Sequence, residues 1–329
     1  MRSTGIQPPV LRYLGRSSHF FLKFLRALFC ALPLWFSAAN AAAVTASGAG
    51  VKPVAPGVAS AAVSKFTRGL LWKIEAPGAK PSFLFGTIHS DDARVTALHE
   101  SITKAIETSG HLVMEALIDG ESIVYMAEAM YFNDDRTLEQ VVGRKLYAES
   151  VKALTARGIP TAGMEKQKPW AVMMALSMPT PTTGEYVDLI LENQATRQNK
   201  SITGLESIQE QIAVFDELSL PDQIALLEAA VQAQGQFAKE LEGLIKAYLA
   251  RDLASLAELS DRHTPGDARI HQTVTDRLLT KRNTRMAGRI APILKEGGAF
   301  IAVGAAHLPG QTGLLNLIEQ AGYRVTSVY

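Results

Sequence analysis

Phe83-Leu84-Phe85-Gly86-Thr87-Ile88-His89 and Phe300-Ile301-Ala302-Val303-Gly304-Ala305-Ala306-His307 follow one plan: an apolar run, then Gly-x-x-His. Each run reads as a buried β-strand. The glycine after it permits positive φ and a close backbone turn, which aims the histidine past the strand end. The two copies stand near the two ends of the folded region. If both strands belong to one sheet, both histidines arrive at the same edge, where open α/β sheets place their ligands.

The remaining strands follow outward from these two. Leu70 to Ile74, the Pro77-Gly78 turn and Ser82 to Phe85 predict a hairpin. A charged loop, Ser90-Asp91-Asp92-Ala93-Arg94, follows His89. A helix over 98–108 closed by Gly110 comes next, then a strand over 111–115. The middle is helical by pattern at 122–130, 144–157, 169–177, 185–198 and 208–217, with one long pattern over 221–250. Ser201–Gly204 forms a short strand, and Glu206 stands at a helix start. A helix over 270–295 kinked near Pro292, a strand over 299–303, a helix over 314–321 and a strand over 324–328 complete the chain. The fold class is α/β: a mixed sheet formed by the N- and C-terminal parts, with a large helical insertion between them.

The formal charge of +1 conceals an asymmetry. Arg2, Arg12, Arg16, Lys23 and Arg26 lie within residues 1–41, which hold no acid, so the remaining chain has 28 basic against 32 acidic residues. That balance offers no electrostatic case for nucleic-acid binding. Residues 1–41 read as a signal peptide: a basic stretch, a short apolar run from Ala27 to Phe36, and an Ala39-Asn40-Ala41 cleavage site. The alternative is an uncleaved anchor, which would be the only membrane contact. Residues 42–68, nearly all Ala, Val, Ser, Gly and Pro up to about residue 65, predict a flexible tether, and 69–329 one domain. Cys30 is the only cysteine, so a chain cleaved after Ala41 has no disulfide, thiol nucleophile or thiolate ligand.

Imidazoles at strand ends suit metal ligation or proton transfer. They equally suit strand capping through backbone hydrogen bonds, and the pattern leaves both readings open. Glu115 ends the apolar strand Leu112-Val113-Met114, where a carboxylate must be paired, hydrated or metal-bound, or else face solvent. His89, His307 and Glu115 together would make a divalent-metal set able to activate water. Glu206 reads as a general base or further ligand, or as an acid settled by a helix dipole. Arg282 and Arg285 share a helical face, fit either to bind a carboxylate or oxyanion or to stay solvated. His99, His111, His263 and His271 lack glycine three residues earlier. Met164, Met173, Met174 and Met178 read as core. No Gly-x-Ser-x-Gly, His-Glu-x-x-His, phosphate loop or dinucleotide fingerprint occurs. This argues against the usual serine hydrolases, zincins, kinases and dehydrogenases.

Taken in order, several motifs form a pattern: Leu84 to His89, Leu112 to Glu115, Gly204-Leu205-Glu206 with Gln211, Arg282-Asn283-Thr284-Arg285-Met286, Val303 to Gly310, and Gly322-Tyr323-Arg324-Val325. This resembles the TraB/GumN family, related to the Tiki proteases, over nearly all of residues 70–329. The resemblance implies an α/β fold with both Gly-x-x-His motifs at one site. It implies a divalent-metal-dependent peptidase, using manganese, cobalt or zinc. It places His89, Glu115 and His307 as metal-binding residues, with Glu206, Arg282 and Arg285 as catalytic ones. The expectation is an exported, periplasmic hydrolase acting on a peptide or protein, with no nucleic-acid partner. The alternative is a non-catalytic peptide-binding or regulatory module using the same cleft.

Overall fold

Six strands order themselves around the two glycine-histidine motifs. The computed structural model describes residues 65–262 and 268–329, so the expected signal segment 1–41, most of the expected tether and His263 lie outside the described residues. The strands are β1 (Leu71–Glu75), β2 (Ser82–Thr87), β3 (His111–Ala116), β4 (Ser201–Glu206), β5 (Ala299–Gly304) and β6 (Arg324–Ser327). They lie side by side in the order β4-β3-β5-β2-β1-β6. β4, β3, β5 and β2 run parallel, and β1 runs antiparallel to both β2 and β6. This is the expected mixed sheet, with one addition: the helical insertion supplies the edge strand β4. Every residue of β5 is buried, as expected of a central strand covered on both faces. Phe66, within the expected tether, is buried and meets Trp72 edge-on at 5.3 Å between ring centroids.

Burial of β5 follows from its neighbours. Gly86 pairs with Val303 and Thr87 with Gly304, so the two motifs end one residue apart on adjacent strands. Gly86 owes its identity to this approach and not to positive φ. Neither motif glycine has a left-handed backbone, and Gly304 has φ −54°. A β-carbon at Gly86 would stand 2.7 Å from Leu308 Cδ1 and 3.0 Å from the Ala305 backbone. Gly86→Ala is therefore expected to cost about 1–3 kcal/mol by overpacking. Urea unfolding measures this, and a loss below about 0.5 kcal/mol would refute the close-approach argument.

The helices are α1 (Ala93–Thr96), α2 (Glu100–Thr108), α3 (Gly120–Ala129), α4 (Leu138–Ala156), α5 (Pro169–Ser177), α6 (Val187–Arg197), α7 (Ile208–Asp216), α8 (Leu220–Gln232), α9 (Phe237–Leu249), α10 (Leu253–Arg262), α11 (Ala268–Thr275), α12 (Lys281–Glu296) and α13 (Leu314–Gln320). Three departures from expectation have local causes. The charged loop after His89 contains α1, started by Asp92 accepting from the Arg94 backbone N–H. The long pattern over 221–250 divides at 233–235, where Gln234 turns aside to donate to Leu176 O at the end of α5. His271 lies on α11, within the expected helix over 270–295. The irregular turn in the last long helix falls at Asp276–Thr280, a single π-helical turn, and Pro292 sits inside α12. The carbonyl left without the hydrogen bond that Pro292 cannot donate is that of Gly288, an exposed residue. Among the described residues, no helix is long and apolar enough to cross a membrane.

Candidate active site

The parallel strands deliver their chemistry to one sheet edge. β3 brings Glu115, β4 ends in Glu206, β5 ends in Gly304 before the tight turn carrying His307, and β2 ends in Thr87 ahead of His89. All four ionisable side chains are buried, with His307 and His89 at 0% and 1% exposure. Glu206 is the last residue of β4, not the first turn of a helix. Ser207 caps α7 instead, in a reciprocal capping box with Glu210.

α12 turns a stripe of side chains inward at Arg282, Met286, Ile290 and Leu294, one per turn, with Asn283 beside them. Asn283 Nδ2 donates to Thr312 O at 2.8 Å, which leaves its Oδ1 as an acceptor. Oδ1 lies 2.5 Å from His307 Nδ1, so Nδ1 carries the proton and Nε2 holds a lone pair. That Nε2 makes no hydrogen bond and stands 3.9 Å from Glu115 Oε2. Burial, reinforced by the Arg282 charge, holds the His307 pKa well below the usual value, so the ring is neutral. A histidine anchored through one ring nitrogen, with the other free, has the posture of a metal ligand.

Arg282, fully buried, occupies the centre of an ion network. Its Nη2 donates to Glu115 Oε1 and lies 2.7 Å from Glu206 Oε2, and its Nε donates to Glu206 Oε2 at 2.8 Å. Burial opposes its charge, but Glu115 and Glu206 more than offset this and its pKa is raised. Arg285 reaches the other Glu206 oxygen at 3.1 Å, then Glu210 at 3.4 Å. Arg289 closes the ladder on Glu210 at 2.8 Å and holds that carboxyl down at about 2. Both Glu115 oxygens are engaged. Oε1 also accepts from Gln211 at 3.1 Å, and Oε2 accepts from the Gly304 N–H at 2.9 Å.

His89 is held from its own loop. Asp91 Oδ2 accepts the backbone N–H groups of Thr182, Thr183 and Gly184 at 2.6, 2.7 and 3.0 Å. This clamps the first motif to the segment leading into α6. Tyr186 stacks on the His89 ring at 4.9 Å, and Asp188, in the first turn of α6, places Oδ2 at 3.4 Å from His89 Nδ1. That contact is not aligned as a hydrogen bond, so both ring nitrogens and Asp188 Oδ2 lack hydrogen-bond partners among the described residues. Asp188 Oδ1 accepts from Thr87 Oγ1 at 3.2 Å. Burial pushes the Asp188 carboxyl up to about 7, helped by the Glu115 charge, and burial pushes His89 down to about 3. Sequence reasoning missed Asp188 altogether. Its helical pattern at 185–198 carried no motif that would single it out.

These shifts have opposite signs in stability. Asp188 contributes stability below pH 3.8 that is lost as pH rises through about 7. His89, whose pKa falls from 6.5 to about 3, contributes stability above pH 6.5 that is lost as pH falls. His307 acts in the same direction as His89. Between pH 6.5 and about 4, unfolding of cation-free protein takes up two histidine protons and releases one from Asp188. These groups therefore lower stability by about 1.4 kcal/mol per pH unit on acidification, and Asp188→Asn about doubles that slope. Urea unfolding at three pH values in this window tests the assignment. A slope no steeper in the variant refutes it.

The donor set suits a divalent transition ion: two neutral imidazoles and carboxylate oxygens. The buried atoms without partners, His89 Nδ1 and Nε2, His307 Nε2, Asp188 Oδ2 and Gln211 Oε1, are the kind a cation satisfies. As the side chains stand, no three His, Cys, Asp or Glu among the described residues converge on a cation position.

A family model, the TraB/PrgY/gumN family, matches residues 70–327. The Metalloprotease TIKI2 of Danio rerio is 26% identical, over 79% of this chain and 61% of its own length. The Metalloprotease TIKI1 of Homo sapiens is 26% identical, over 85% of this chain and 66% of its own. The uncharacterized protein YbaP of Shigella flexneri is 24% identical, over 75% and 90%. The matched region thus spans about three fifths of the zebrafish relative. No solved structure matches the chain.

Proposed function

The chain belongs to the TraB/PrgY/gumN family, and from that premise we propose that it is a peptidase-like hydrolase dependent on a divalent metal ion. The observation that carries this reading is the neutral His307 lone pair, fixed by Asn283, among buried acceptor atoms that nothing among the described residues satisfies. The metal-named relatives support it as well. When bound, such an ion would polarise a carbonyl and acidify water. His89 and His307 would hold it, with a carboxylate from the Glu115 side of the site. Arg282, itself held by Glu206, holds Glu115 in place. Arg285 and Arg289, whose side chains are 35% and 42% exposed, are the arginines of the network that a substrate carboxylate can reach. A groove of about 700 Å³, lined by Leu117, Glu121, Gly204, Glu206 and Glu210, opens beside them and suits a peptide. We further propose export to the periplasm through residues 1–41.

A peptide library incubated with purified protein, with manganese or with chelator, tests the reading. Cleavage should require the metal and fall by at least a hundredfold in His89→Ala and His307→Ala. Cleavage indifferent to chelator would remove the metal from the proposal. Among the described residues the side chains as they stand form no converged cage, which favours one rival, a module that binds peptide without turnover. Saturable peptide binding with no cleavage under any metal would establish it.

A further inference from the structure

We propose that Asp188, with the side-chain oxygen of Gln211, forms the oxygen face of the cation site, and that Glu115 is a counter-ion to Arg282. The inference rests on the metal-dependent reading above. Glu115 already has its charge met. One oxygen accepts from Arg282 and Gln211, and the other from the Gly304 N–H. Glu115 and Glu206 are matched by Arg282 and Arg285, two charges against two. Asp188 is the carboxylate left over. It is 7% exposed, and no lysine or arginine among the described residues pairs with it.

A small cavity gives this unpaired carboxyl a place to act. Glu115, Asp188 and Gln211 line it together with Met114, Ile118 and Ile208, and it offers about 10 Å³, the room of one water-sized group. Gln211 spends its amide N–H on Glu115, so its Oε1 is left as an acceptor without a donor. Asp188 Oδ2 is the second unpartnered oxygen, with His89 Nδ1 3.4 Å away. The cavity's polar lining is therefore rich in acceptors, and the nearby imidazoles are neutral. A water has two hydrogens to distribute, whereas a divalent cation satisfies every acceptor at once and supplies the missing positive charge.

The full chain, stripped with chelator, is titrated with manganese by calorimetry and melted with and without the ion. Asp188→Asn keeps the acceptor for Thr87 and removes the ionisable buried carboxyl, so at about pH 8, above the Asp188 pKa of about 7, its cation-free melting temperature should equal or exceed wild type. Its manganese affinity should fall at least tenfold, the smaller loss seen even for outer-shell partners. The manganese-induced rise in melting temperature should shrink with it. Asp134→Asn, an exposed carboxylate on another surface, should change neither. Wild-type affinity in Asp188→Asn overturns the inference and leaves the metallohydrolase reading standing. If wild type itself takes up no manganese, the inference falls together with the metal half of that reading, and cleavage in chelator shows whether hydrolysis survives. Should Asp188→Asn fail to fold, Gln211→Met must weaken manganese binding in a folded protein, and unchanged affinity overturns the inference.

Discussion

Arg282→Met is expected to lower the melting temperature by roughly 6–20 °C, the effect of about 3–5 kcal/mol on a domain of this size. The substitution replaces a fully buried guanidinium by an apolar group of similar length. What it leaves behind decides the cost. Glu115 and Glu206 lose the cation between them, and both are buried. Arg285 still reaches Glu206, but Glu115 retains only neutral donors from Gln211 and Gly304. An uncompensated buried carboxylate is far more costly than a missing ion pair. The triple variant Glu115→Gln, Glu206→Gln, Arg282→Met should therefore recover most of the loss, because it removes the charges along with their partner. Arg282→Lys should fall between, keeping the charge and losing the fork that serves two carboxylates. Thermal melts of all three without ligand separate this role from substrate binding. An Arg282→Met protein melting within about 2 °C of wild type would refute it.

The same arginine shows how far the sequence could be read. Apolar runs ending in Gly-x-x-His marked β2 and β5, because period and punctuation are local signals. Their adjacency and one-residue stagger arise from β5 inserting between β2 and β3, which no local pattern encodes. Gly86 was legible as necessary but for the wrong reason, since the demand comes from Ala305 and Leu308 across the strand pair. Arg282 and Arg285 were legible as sharing a face. Which of them is buried depends on α12 lying against the ends of β3 and β4. Asp188 was invisible because an acid in a helix's first turn is ordinary. It becomes unusual only when Asp91 pins the preceding segment against the first motif and turns it inward.

Asn283→Leu is expected to weaken manganese binding and peptide cleavage ten- to a hundredfold, although Asn283 is a positioning residue that touches neither ligand nor substrate. Its whole effect passes through His307. In the wild-type protein the chain Thr312 O, Asn283 Nδ2, Asn283 Oδ1, His307 Nδ1 fixes both amide orientation and tautomer. Leucine accepts nothing, so the Nδ1 proton loses its partner and the ring is free to protonate at Nε2, next to Glu115 Oε2. A ring in that tautomer presents a hydrogen where a lone pair is needed. Leaving Nδ1–H and Thr312 O without partners also costs about 1–3 kcal/mol. Asn283→Asp separates orientation from stability. It still accepts from Nδ1–H, so manganese affinity should stay closer to wild type. It sets a carboxylate against the Thr312 carbonyl, so stability should fall further than in the leucine variant. Nitrogen-15 shifts of His307 report the tautomer directly, with a protonated Nδ1 and a bare Nε2 expected in wild type and a mixture in Asn283→Leu. Wild-type affinity in the leucine variant would show that ring packing alone orients His307, and that the 2.5 Å contact with Asn283 contributes only to stability.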